Sequence, residues 1–397
     1  MLAFVAAAAA AALFTAPALA LPAPGVAVSW AFRENATWTY SHCSSWTALP
    51  SGALLAVFQA TQSHEGGPTQ TKFLVRSTDG GASWSAPAAL VRWSNASGQE
   101  VLPWDGTIFY DAAASRVRYV YTTSPFKQQS AGDLYAIASA DEGASWSAPA
   151  LVFPRSVWGR IMSNINPPVL LRGGGLALPV NTVPGSASDR GAVTFGLVLV
   201  GSDDGQQWAA LGTQPRDLAA ITTYLEPAVA RCAPPLDNQL VALLRTNIGE
   251  LWAARSADSG ATWSAAYQTP LRNPDSKVNV LQWRGAGAGG GAPSDGDLVL
   301  TLNPLADWSK PGCNATSPYC PRSPLALAVS RDCGGSWGPL YSVEVDGDGE
   351  NSFGYPTALQ CTDASGAPAV CITYSLGTDG SKFGGIRFAV VPSRLLA

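Results

Sequence analysis

Histidine is scarce in this sequence, with only His42 and His64 among 397 residues. The seven cysteines include no Cys-x-x-Cys pair. Zinc sites in proteins draw mainly on these two residue types, usually at such close spacings. The sequence therefore excludes a multi-histidine zinc site, and we expect the protein to need neither a catalytic metal nor a redox cofactor.

Charge is also sparse, because Asp, Glu, Lys and Arg make up only 13% of the chain and the formal net charge is −4. Proteins that bind nucleic acid usually carry a basic field, so we expect no nucleic-acid partner. Hydrophobic residues reach 47%, together with 14 Trp, 30 Pro and 40 Gly. This composition is typical of many short strands joined by tight turns and not of helices.

Long apolar runs are confined to the N-terminus, where Leu2 to Ala20 form an Ala-rich stretch that ends in Ala-Leu-Ala. This ending predicts a signal peptide at residues 1–20, and an uncleaved anchor is the alternative because no Lys or Arg precedes the run. We expect residues 21–397 to form one secreted domain without a membrane span, extracellular or in a secretory-pathway lumen such as a vacuole or lysosome. Glycosylation sequons at Asn35, Asn95 and Asn314 agree with secretion.

Seven cysteines are an odd number for an oxidising compartment, so one should stay free or pair between chains. Cys313 and Cys320 bracket a short loop, and Cys361 and Cys371 flank a turn that contains glycine. We expect both pairs to form disulfides. The sequence leaves the pairing open for Cys43, Cys232 and Cys333.

The strongest pattern is a motif that recurs five times: Ser or Gly, any residue, Asp, any residue, Gly, two further residues and Trp. The copies of this motif, called an Asp box, span residues 77–84, 139–146, 201–208, 256–263 and 330–337. Successive aspartates lie 62, 62, 55 and 74 residues apart, at Asp79, Asp141, Asp203, Asp258 and Asp332. A repeat of this length is typical of propellers and other repeat arrays.

Each residue type of the Asp box suits a turn between two strands. Asp can accept hydrogen bonds from backbone N–H groups two or three residues further on, and Gly supplies the positive φ that such a turn needs. We expect the Trp to pack back between neighbouring sheets as an apolar plug. The Asp-box aspartates are therefore predicted to stabilise the fold and not to take part in catalysis.

The repeat length predicts about six units in residues 21–397, the last of them without an Asp box. We therefore predict an all-β fold, a six-bladed β-propeller with Asp-box turns. The ring would close by pairing the strand around Val26 to Phe32 with strands in residues 350–392, which removes the open sheet edges.

Asp boxes at this spacing resemble those of the sialidase (neuraminidase) superfamily, and more closely those of its secreted BNR-repeat sialidase-like proteins. The resemblance covers essentially the whole chain after residue 20. The boxes alone specify a fold, since binding and assembly proteins also carry them. The resemblance to an enzyme depends on residues between the boxes.

Four residues match positions of the sialidase active site. Glu226, in Tyr-Leu-Glu-Pro-Ala, and Arg245, at the end of the next apolar segment, resemble the family's glutamate and arginine. Arg322, in Pro-Arg-Ser-Pro, resembles its second carboxylate-binding arginine, and Tyr355, in Phe-Gly-Tyr-Pro, resembles its nucleophilic tyrosine. The resemblance implies that Glu226 is the base for Tyr355 and that the arginines bind a sugar carboxylate. A surface ion pair and an ordinary core tyrosine are the structural alternatives.

The first repeat departs from the family pattern. The family's first arginine lies in Phe/Tyr-Arg-Ile-Pro, and here Ser-His42-Cys-Ser takes that place, while Arg33 lies nine residues too early. The family's acid/base aspartate lies in the following hairpin, where this chain has Glu65. The structural alternative is that Glu65 is an ordinary solvated loop glutamate. Imidazole is charged only below about pH 6.5. Either the enzyme works at acidic pH, or its substrate is not an ordinary sialic acid.

The resemblance implies a secreted exo-α-sialidase-like glycoside hydrolase. It would remove a terminal sialic acid or related 2-keto acid sugar from a glycoconjugate or acidic glycan, with retention through a tyrosine nucleophile. Tyr355, Glu226 and Glu65 would be catalytic, and Arg245, Arg322 and His42 would bind the substrate. Two alternatives stay open: a carbohydrate-binding propeller without turnover, and an enzyme that degrades uronate polysaccharides.

Overall fold

Regular structure in the described residues is almost entirely β-strand, with one short 3₁₀ helix at Ser393–Leu396. The computed structural model describes residues 21–92, 101–125, 132–154, 156, 160–163, 165–183, 194–201, 208–213, 225–286, 292–304, 322–346, 351–378 and 382–396. Several predicted features lie outside these residues: the signal peptide at 1–20, Asp203 of the third Asp box, the Cys313–Cys320 pair and the sequons at Asn95 and Asn314.

The described strands form six antiparallel sheets, which are the blades of a β-propeller. Two N-terminal strands, β1 (Leu21–Pro22) and β2 (Ala27–Arg33), precede blade 1. Blade 1 contains β3 (Tyr40–Ala48), β4 (Leu54–Thr61), β5 (Thr71–Ser77) and β6 (Ala88–Val91). Blade 2 contains β7 (Val101–Asp111), β8 (Arg116–Pro125), β9 (Leu134–Ser139) and β10 (Ala150–Phe153).

The remaining blades repeat this arrangement. Blade 3 contains β11 (Arg160–Ser163), β12 (Val169–Leu170), β13 (Leu176–Val183), β14 (Thr194–Leu199) and β15 (Ala209–Thr213). Blade 4 contains β16 (Leu225–Arg231), β17 (Leu240–Arg245), β18 (Glu250–Ser256) and β19 (Tyr267–Arg272). Blade 5 contains β20 (Asn279–Gln282), β21 (Leu298–Leu302), β22 (Leu325–Ser330) and β23 (Tyr341–Val345). Blade 6 contains β24 (Asn351–Thr362), β25 (Pro368–Thr378) and β26 (Lys382–Pro392).

The N-terminal strands close the ring, as the sequence predicted. Strand β2 pairs antiparallel with β26 and is the outermost strand of blade 6, in a register that places Ala27 opposite Val390 and Arg33 opposite Gly385. Strand β1, which was not part of the prediction, pairs with β23 at the edge of blade 5. The N-terminal segment therefore joins the last two blades and covers the outer edge of each.

The hydrophobic core lies between neighbouring blades. One cluster combines Trp283 and Leu327 of the blade 5 segment with Ile372 and Tyr374 of blade 6, all fully buried. The first strands of the blades, such as β3, β7 and β24, pack against one another around the propeller axis. Residues at the start of these strands, although far apart in sequence, therefore meet at the axis.

The Asp boxes fold as turns, with one difference from the prediction. Asp79 Oδ1 accepts a hydrogen bond from the backbone N–H of Ser83 at 2.9 Å, four residues further on rather than two or three. Hydrogen bonds from Ser83 and Ser77 lower the pKa of Asp79 to about 2. The Trp84 ring packs edge-on against Phe388 of blade 6, 5.3 Å between centroids. The tryptophan thus plugs the gap between two sheets, as predicted.

Two disulfides lie within the described residues. Cys361 pairs with Cys371 across blade 6, as predicted. Cys232, just after β16, pairs with Cys333 in the fifth Asp box and so links blade 4 to blade 5. This pairing, which the sequence left open, leaves Cys43 as a buried free cysteine. Among the described residues, no helix is long and apolar enough to cross a membrane.

Candidate functional site

A bulge interrupts the first strand of four blades at the same relative position. The pairing register shifts between His42 and Ser45 in β3, between Pro103 and Gly106 in β7, between Leu225 and Ala228 in β16, and between Gly354 and Thr357 in β24. In three of these bulges a residue other than glycine has a positive φ: 53° at Cys43, 47° at Glu226 and 57° at Tyr355. Bulges redirect side chains and are frequent beside active sites, and a left-handed backbone at a residue other than glycine costs free energy.

Arg245 connects the side chains of two bulged residues, Glu226 and Tyr355. Its Nη1 donates hydrogen bonds to Glu226 Oε2 at 2.7 Å and to Tyr355 Oη at 2.9 Å. Its Nε donates to Asp275 Oδ1 at 2.6 Å. Burial acts to lower the pKa of Arg245, but Asp275 and Glu226 outweigh it and raise the pKa well above its usual value. Arg245 is therefore a charged group held by three oxygens.

Arg322 lies on the other side of Tyr355. Its guanidinium carbon is 5.4 Å from the centroid of the Tyr355 ring, and its Nη2 donates to the backbone oxygen of Asp275 at 3.0 Å. Its Nε is buried and has no hydrogen-bond partner, and within the described residues no carboxylate forms an ion pair with it. A buried guanidinium without a carboxylate partner is costly in a folded protein unless a ligand supplies the anion.

The four residues Glu226, Arg245, Arg322 and Tyr355 form what we call the axial cluster. Their exposed fractions are only 4%, 7%, 6% and 8%. Burial and the nearby Glu226 raise the pKa of Tyr355 well above 10, against the opposing effect of the two arginines. The phenol is therefore protonated at neutral pH. The structure brings together four of the six residues that the sequence selected.

Several residues outside the six selected site residues hold the cluster in place. Asn181 Oδ1 accepts a hydrogen bond from the backbone N–H of Glu226 at 2.5 Å, and Asn166 Nδ2 donates to the backbone oxygens of Glu226 and Pro227 at 3.1 and 2.9 Å. Fully buried Lys277 donates to the backbone oxygen of Pro356 and, at 3.3 Å, to Thr357 Oγ1.

Asp275, the partner of Arg245, and Lys277 share one sequence signal. Asp275 and Lys277 lie directly before β20, the first strand of blade 5, as Glu226 and Tyr355 lie at the start of the first strands of blades 4 and 6. Asp275 also has a positive φ of 52°. Comparing the blades position by position, rather than the Asp boxes alone, would have selected this segment.

Glu65 lies in the hairpin between β4 and β5, beside Cys43. Its Oε1 accepts a hydrogen bond from Gln59 Nε2 at 2.7 Å and is 3.9 Å from Cys43 Sγ, and Cys43 packs against Tyr355. Burial, with a contribution from Asp105, raises the pKa of Glu65 from 4.5 to about 7. Glu65 is half-buried, and its carboxyl group can hold or release a proton near neutral pH.

His42 is buried beside the cluster in its neutral form. Its ring stacks on Phe383 at 4.0 Å and lies 4.1 Å from the Tyr355 ring, and its Nδ1 is 2.9 Å from Ser375 Oγ. Burial and the nearby Arg322 and Arg245 lower its pKa well below 6.5. The interpretation that His42 gains a charge at moderately acidic pH is therefore not supported, because these cations oppose its protonation.

One group of side chains has the geometry of a metal site. Potential ligand atoms of His42, Cys43 and Glu65 lie within 4.8 Å of one another, and zinc accepts nitrogen, sulfur and oxygen ligands. Charges of both signs surround the group: Arg322, Arg245, Lys72 and Lys277 act on His42, and Asp105 and Glu226 act on Cys43 and Glu65. Burial also raises the pKa of the Cys43 thiol, which disfavours the thiolate that a metal would need, so we assign no metal to this group.

Replacing Arg245 by Lys is expected to lower the free energy of unfolding by about 2 kcal/mol, the typical value of a hydrogen bond to a charged group. The planar guanidinium of Arg245 donates from Nε to Asp275 and from Nη1 to Glu226 and Tyr355. The single ammonium group of Lys cannot reach all three acceptors in this geometry. Urea denaturation measures the change. Arg172→Lys is the matched control, since Arg172 is 63% exposed and its ion pair with Asp237 spans 3.6 Å. An unchanged stability in Arg245→Lys would contradict the bridging role of Arg245.

Comparison with known proteins places the chain among Asp-box propellers. Residues 52–367 match the family described as BNR repeat-like domain. No curated protein sequence matches the chain significantly. Among solved structures, the Hadza microbial sialidase Hz136 is similar with a TM-score of 0.66 and 16% identity, over 92% of this chain and 68% of that one.

Two further structures show the same likeness. The NanB sialidase from Streptococcus pneumoniae has a TM-score of 0.67 and 11% identity, over 91% of this chain and 70% of that one. A protein of unknown function from Dyadobacter fermentans has a TM-score of 0.66 and 15% identity, over 94% of this chain and 100% of that one. At these identities the likeness establishes a shared fold, and the fold alone does not determine the activity.

Proposed function

Because the chain belongs to the BNR repeat-like domain family, a sialidase-like group of propellers, we propose that it is a secreted exo-glycosidase. Its substrate is the terminal acidic sugar of a glycoconjugate or acidic glycan, a sialic acid or a related 2-keto acid sugar. The observation that carries this proposal is buried Arg322, which has no carboxylate partner in the described residues and lies beside Tyr355. A substrate carboxylate would supply the missing anion.

The proposed reaction begins with attack on the anomeric carbon by Tyr355 Oη. Glu226 accepts the phenolic proton, since its Oε2 and Tyr355 Oη are both within 2.9 Å of Arg245 Nη1 and are therefore neighbours. A neutral phenol is a better nucleophile toward an anionic sugar than a carboxylate, which the substrate's charge would repel. Arg245 and Arg322 hold the sugar carboxylate in position, and neutral His42 forms the adjoining wall.

Glu65 is the acid and base of the proposed cycle. It donates its proton to the leaving oxygen as the glycosidic bond breaks, which leaves the sugar bound covalently to Tyr355. The Glu65 carboxylate then accepts a proton from water as the water displaces Tyr355, and the phenolate regains its proton from Glu226. Two displacements at the anomeric carbon retain its configuration.

Secretion is part of the proposal. The two disulfides among the described residues suit an oxidising compartment. Residues 1–20 would act as the signal peptide, and the sequons would carry glycans.

Hydrolysis of a fluorogenic α-linked sialic acid glycoside, measured between about pH 4 and 8, tests the function. We expect release of the fluorophore, and proton NMR should show that the first product has the α configuration. An inverted first product would contradict a covalent glycosyl-tyrosine. Binding of the sialoside without release would identify a carbohydrate-binding propeller. Unsaturated uronate products from an acidic polysaccharide, with no release from the sialoside, would identify a uronate-degrading enzyme.

A further inference from the structure

A groove between blades 1 and 6 lies next to the axial cluster and takes no part in the chemistry proposed above. Its volume is about 710 Å³, within the range that is typical of ligand pockets. We call it the Trp30 groove. Its side-chain lining includes Trp30, Arg33, Glu34, Thr39, Ser63 and Asn351.

The Trp30 groove adjoins the catalytic groups through Tyr40. Tyr40 lines the groove, and its ring centroid is 6.1 Å from that of His42, which is in turn 4.1 Å from that of Tyr355. The groove also touches the hairpin that bears Glu65, because Ser63 belongs to both. Thr39 Oγ1 donates a hydrogen bond to the backbone oxygen of Gln62 at 2.8 Å, which ties the groove wall to that hairpin. The groove therefore extends from the Glu65 side of the site.

We propose that the Trp30 groove binds the neutral oligosaccharide to which the terminal acidic sugar is attached. This inference rests on the proposed function. A general acid must lie within hydrogen-bond reach of the leaving oxygen, so the departing part of the substrate extends past Glu65. Within the part of the chain that the structure describes, the Trp30 groove begins at the hairpin that bears Glu65, because Ser63 lines it.

The chemistry of the groove suits a ligand that is rich in hydroxyl groups and carries no charge. Arg33 and Glu34 contribute opposite charges, and the Arg33 guanidinium carbon lies 4.4 Å from the centroid of the Trp30 ring, which holds its donors in one plane. Trp30, whose ring centroid also lies 4.6 Å from the Arg387 guanidinium carbon, and largely buried Tyr40 supply the aromatic part of the lining, of the kind that accompanies a few polar groups in ligand pockets.

Two glycines, Gly384 and Gly385, form part of the floor of the groove with their backbone atoms. A side chain would not fit at Gly384, because its Cβ would lie 2.4 Å from Glu34 Oε2. A Cβ at Gly385 would lie 2.4 Å from the Trp30 ring. Glycine at both positions therefore lets the groove side chains pack closely on β26 and fixes their positions before any ligand binds.

Arg33→Ala tests the proposal, with Arg172→Ala as the matched control because both arginines are exposed. The measured quantity is the ratio of kcat/KM for 3′-sialyllactose to kcat/KM for the fluorogenic aryl sialoside, which has no oligosaccharide. Loss of hydrogen bonds from a charged donor should lower this ratio about tenfold in Arg33→Ala. The ratio in Arg172→Ala should equal that of the wild type.

Lactose binding, followed by saturation-transfer NMR, provides a readout that needs no turnover. We expect lactose to bind to the wild type and to Arg172→Ala, and to bind more weakly to Arg33→Ala. Turnover of both sialosides with an unchanged ratio in Arg33→Ala would overturn the groove assignment and leave the proposed function intact. If no sialoside is hydrolysed, the proposed function fails. In that case, weaker lactose binding by Arg33→Ala than by the wild type would still support an oligosaccharide groove. Equal lactose binding by Arg33→Ala and the wild type would overturn it.

Discussion

Tyr355→Phe is expected to remove turnover of a sialoside while leaving the substrate bound. The substitution deletes only the phenolic oxygen, which accepts a hydrogen bond from Arg245 Nη1 at 2.9 Å. Arg245 keeps Glu226 and Asp275 as partners, so the charge of the pocket is preserved. Loss of an enzymatic nucleophile lowers kcat by roughly a thousandfold or more. The dissociation constant should change little, because the two arginines that would hold the sugar carboxylate are untouched.

Fluorophore release gives kcat, and calorimetric titration of the variant with 3′-sialyllactose gives the dissociation constant. Tyr121→Phe is the matched control, since Tyr121 is a buried tyrosine of β8 whose ring stacks on Tyr119 at 5.6 Å. The control should keep wild-type kcat. If Tyr355→Phe retained kcat within tenfold of the wild type, Tyr355 would not be the nucleophile, and a direct attack by water would have to replace the covalent step.

The protonated state of Tyr355 makes the base a requirement of this mechanism. Burial and Glu226 raise the pKa of Tyr355, so almost none of the phenol is ionised at neutral pH. The phenol can therefore act as a nucleophile only if a neighbouring group accepts its proton during the attack. Glu226 is the carboxylate in position to accept this proton, because Glu226 Oε2 and Tyr355 Oη both accept a hydrogen bond from Arg245 Nη1.

Local sequence was sufficient to predict the fold because five of the six repeats contain the same short turn motif. An Asp box needs one carboxylate, one glycine and one tryptophan within eight residues, and Asp79, Gly81 and Trp84 form their turn as that pattern requires. Closure of the ring by β2 followed from the count of repeats and from the need to cover sheet edges. These predictions depend on short-range geometry and on a regular spacing.

The support around the axial cluster could not be predicted in the same way, because it joins residues distant in sequence. Asp275 reaches Arg245 from a segment with no Asp box, and Asn166 reaches the Glu226 backbone from blade 3. The pKa of His42 could not be derived from its sequence neighbours either, because burial in the assembled ring is the largest cause of its decrease. Arg322 and Arg245, which lie more than two hundred residues away, lower its pKa. Such electrostatic effects depend on the assembled ring.

Glu65→Gln is expected to lower kcat/KM for 3′-sialyllactose by roughly a hundredfold to ten-thousandfold, the usual contribution of a general acid. The substitution is nearly isosteric, and the new side-chain oxygen can still accept the hydrogen bond that Gln59 Nε2 donates at 2.7 Å. An aryl sialoside with an acidic phenol as leaving group needs little protonation, so its kcat/KM should fall much less. This dependence on the leaving group separates loss of an acid from general damage to the pocket.

The pH profile gives a second, independent signature of Glu65. Only the protonated carboxyl group can donate, and burial raises the pKa of Glu65 to about 7. Activity of the wild type on 3′-sialyllactose should therefore be full below that pKa and fall about tenfold per pH unit above it. In Glu65→Gln this decline should disappear, because Gln does not titrate.

Lys277 is the other group whose titration could produce the same decline, since burial lowers its pKa to about 7 and it holds the Tyr355 bulge through Pro356 and Thr357. Deprotonation of Lys277 would lower kcat/KM for 3′-sialyllactose and for the aryl sialoside equally. It would displace the nucleophile Tyr355, which both substrates need, and would not change protonation of the leaving group. A decline near pH 7 that persists in Glu65→Gln, with the same size for both substrates, would assign the titration to Lys277 and contradict Glu65 as the acid. A decline that is confined to 3′-sialyllactose and lost in Glu65→Gln would establish Glu65 in that role.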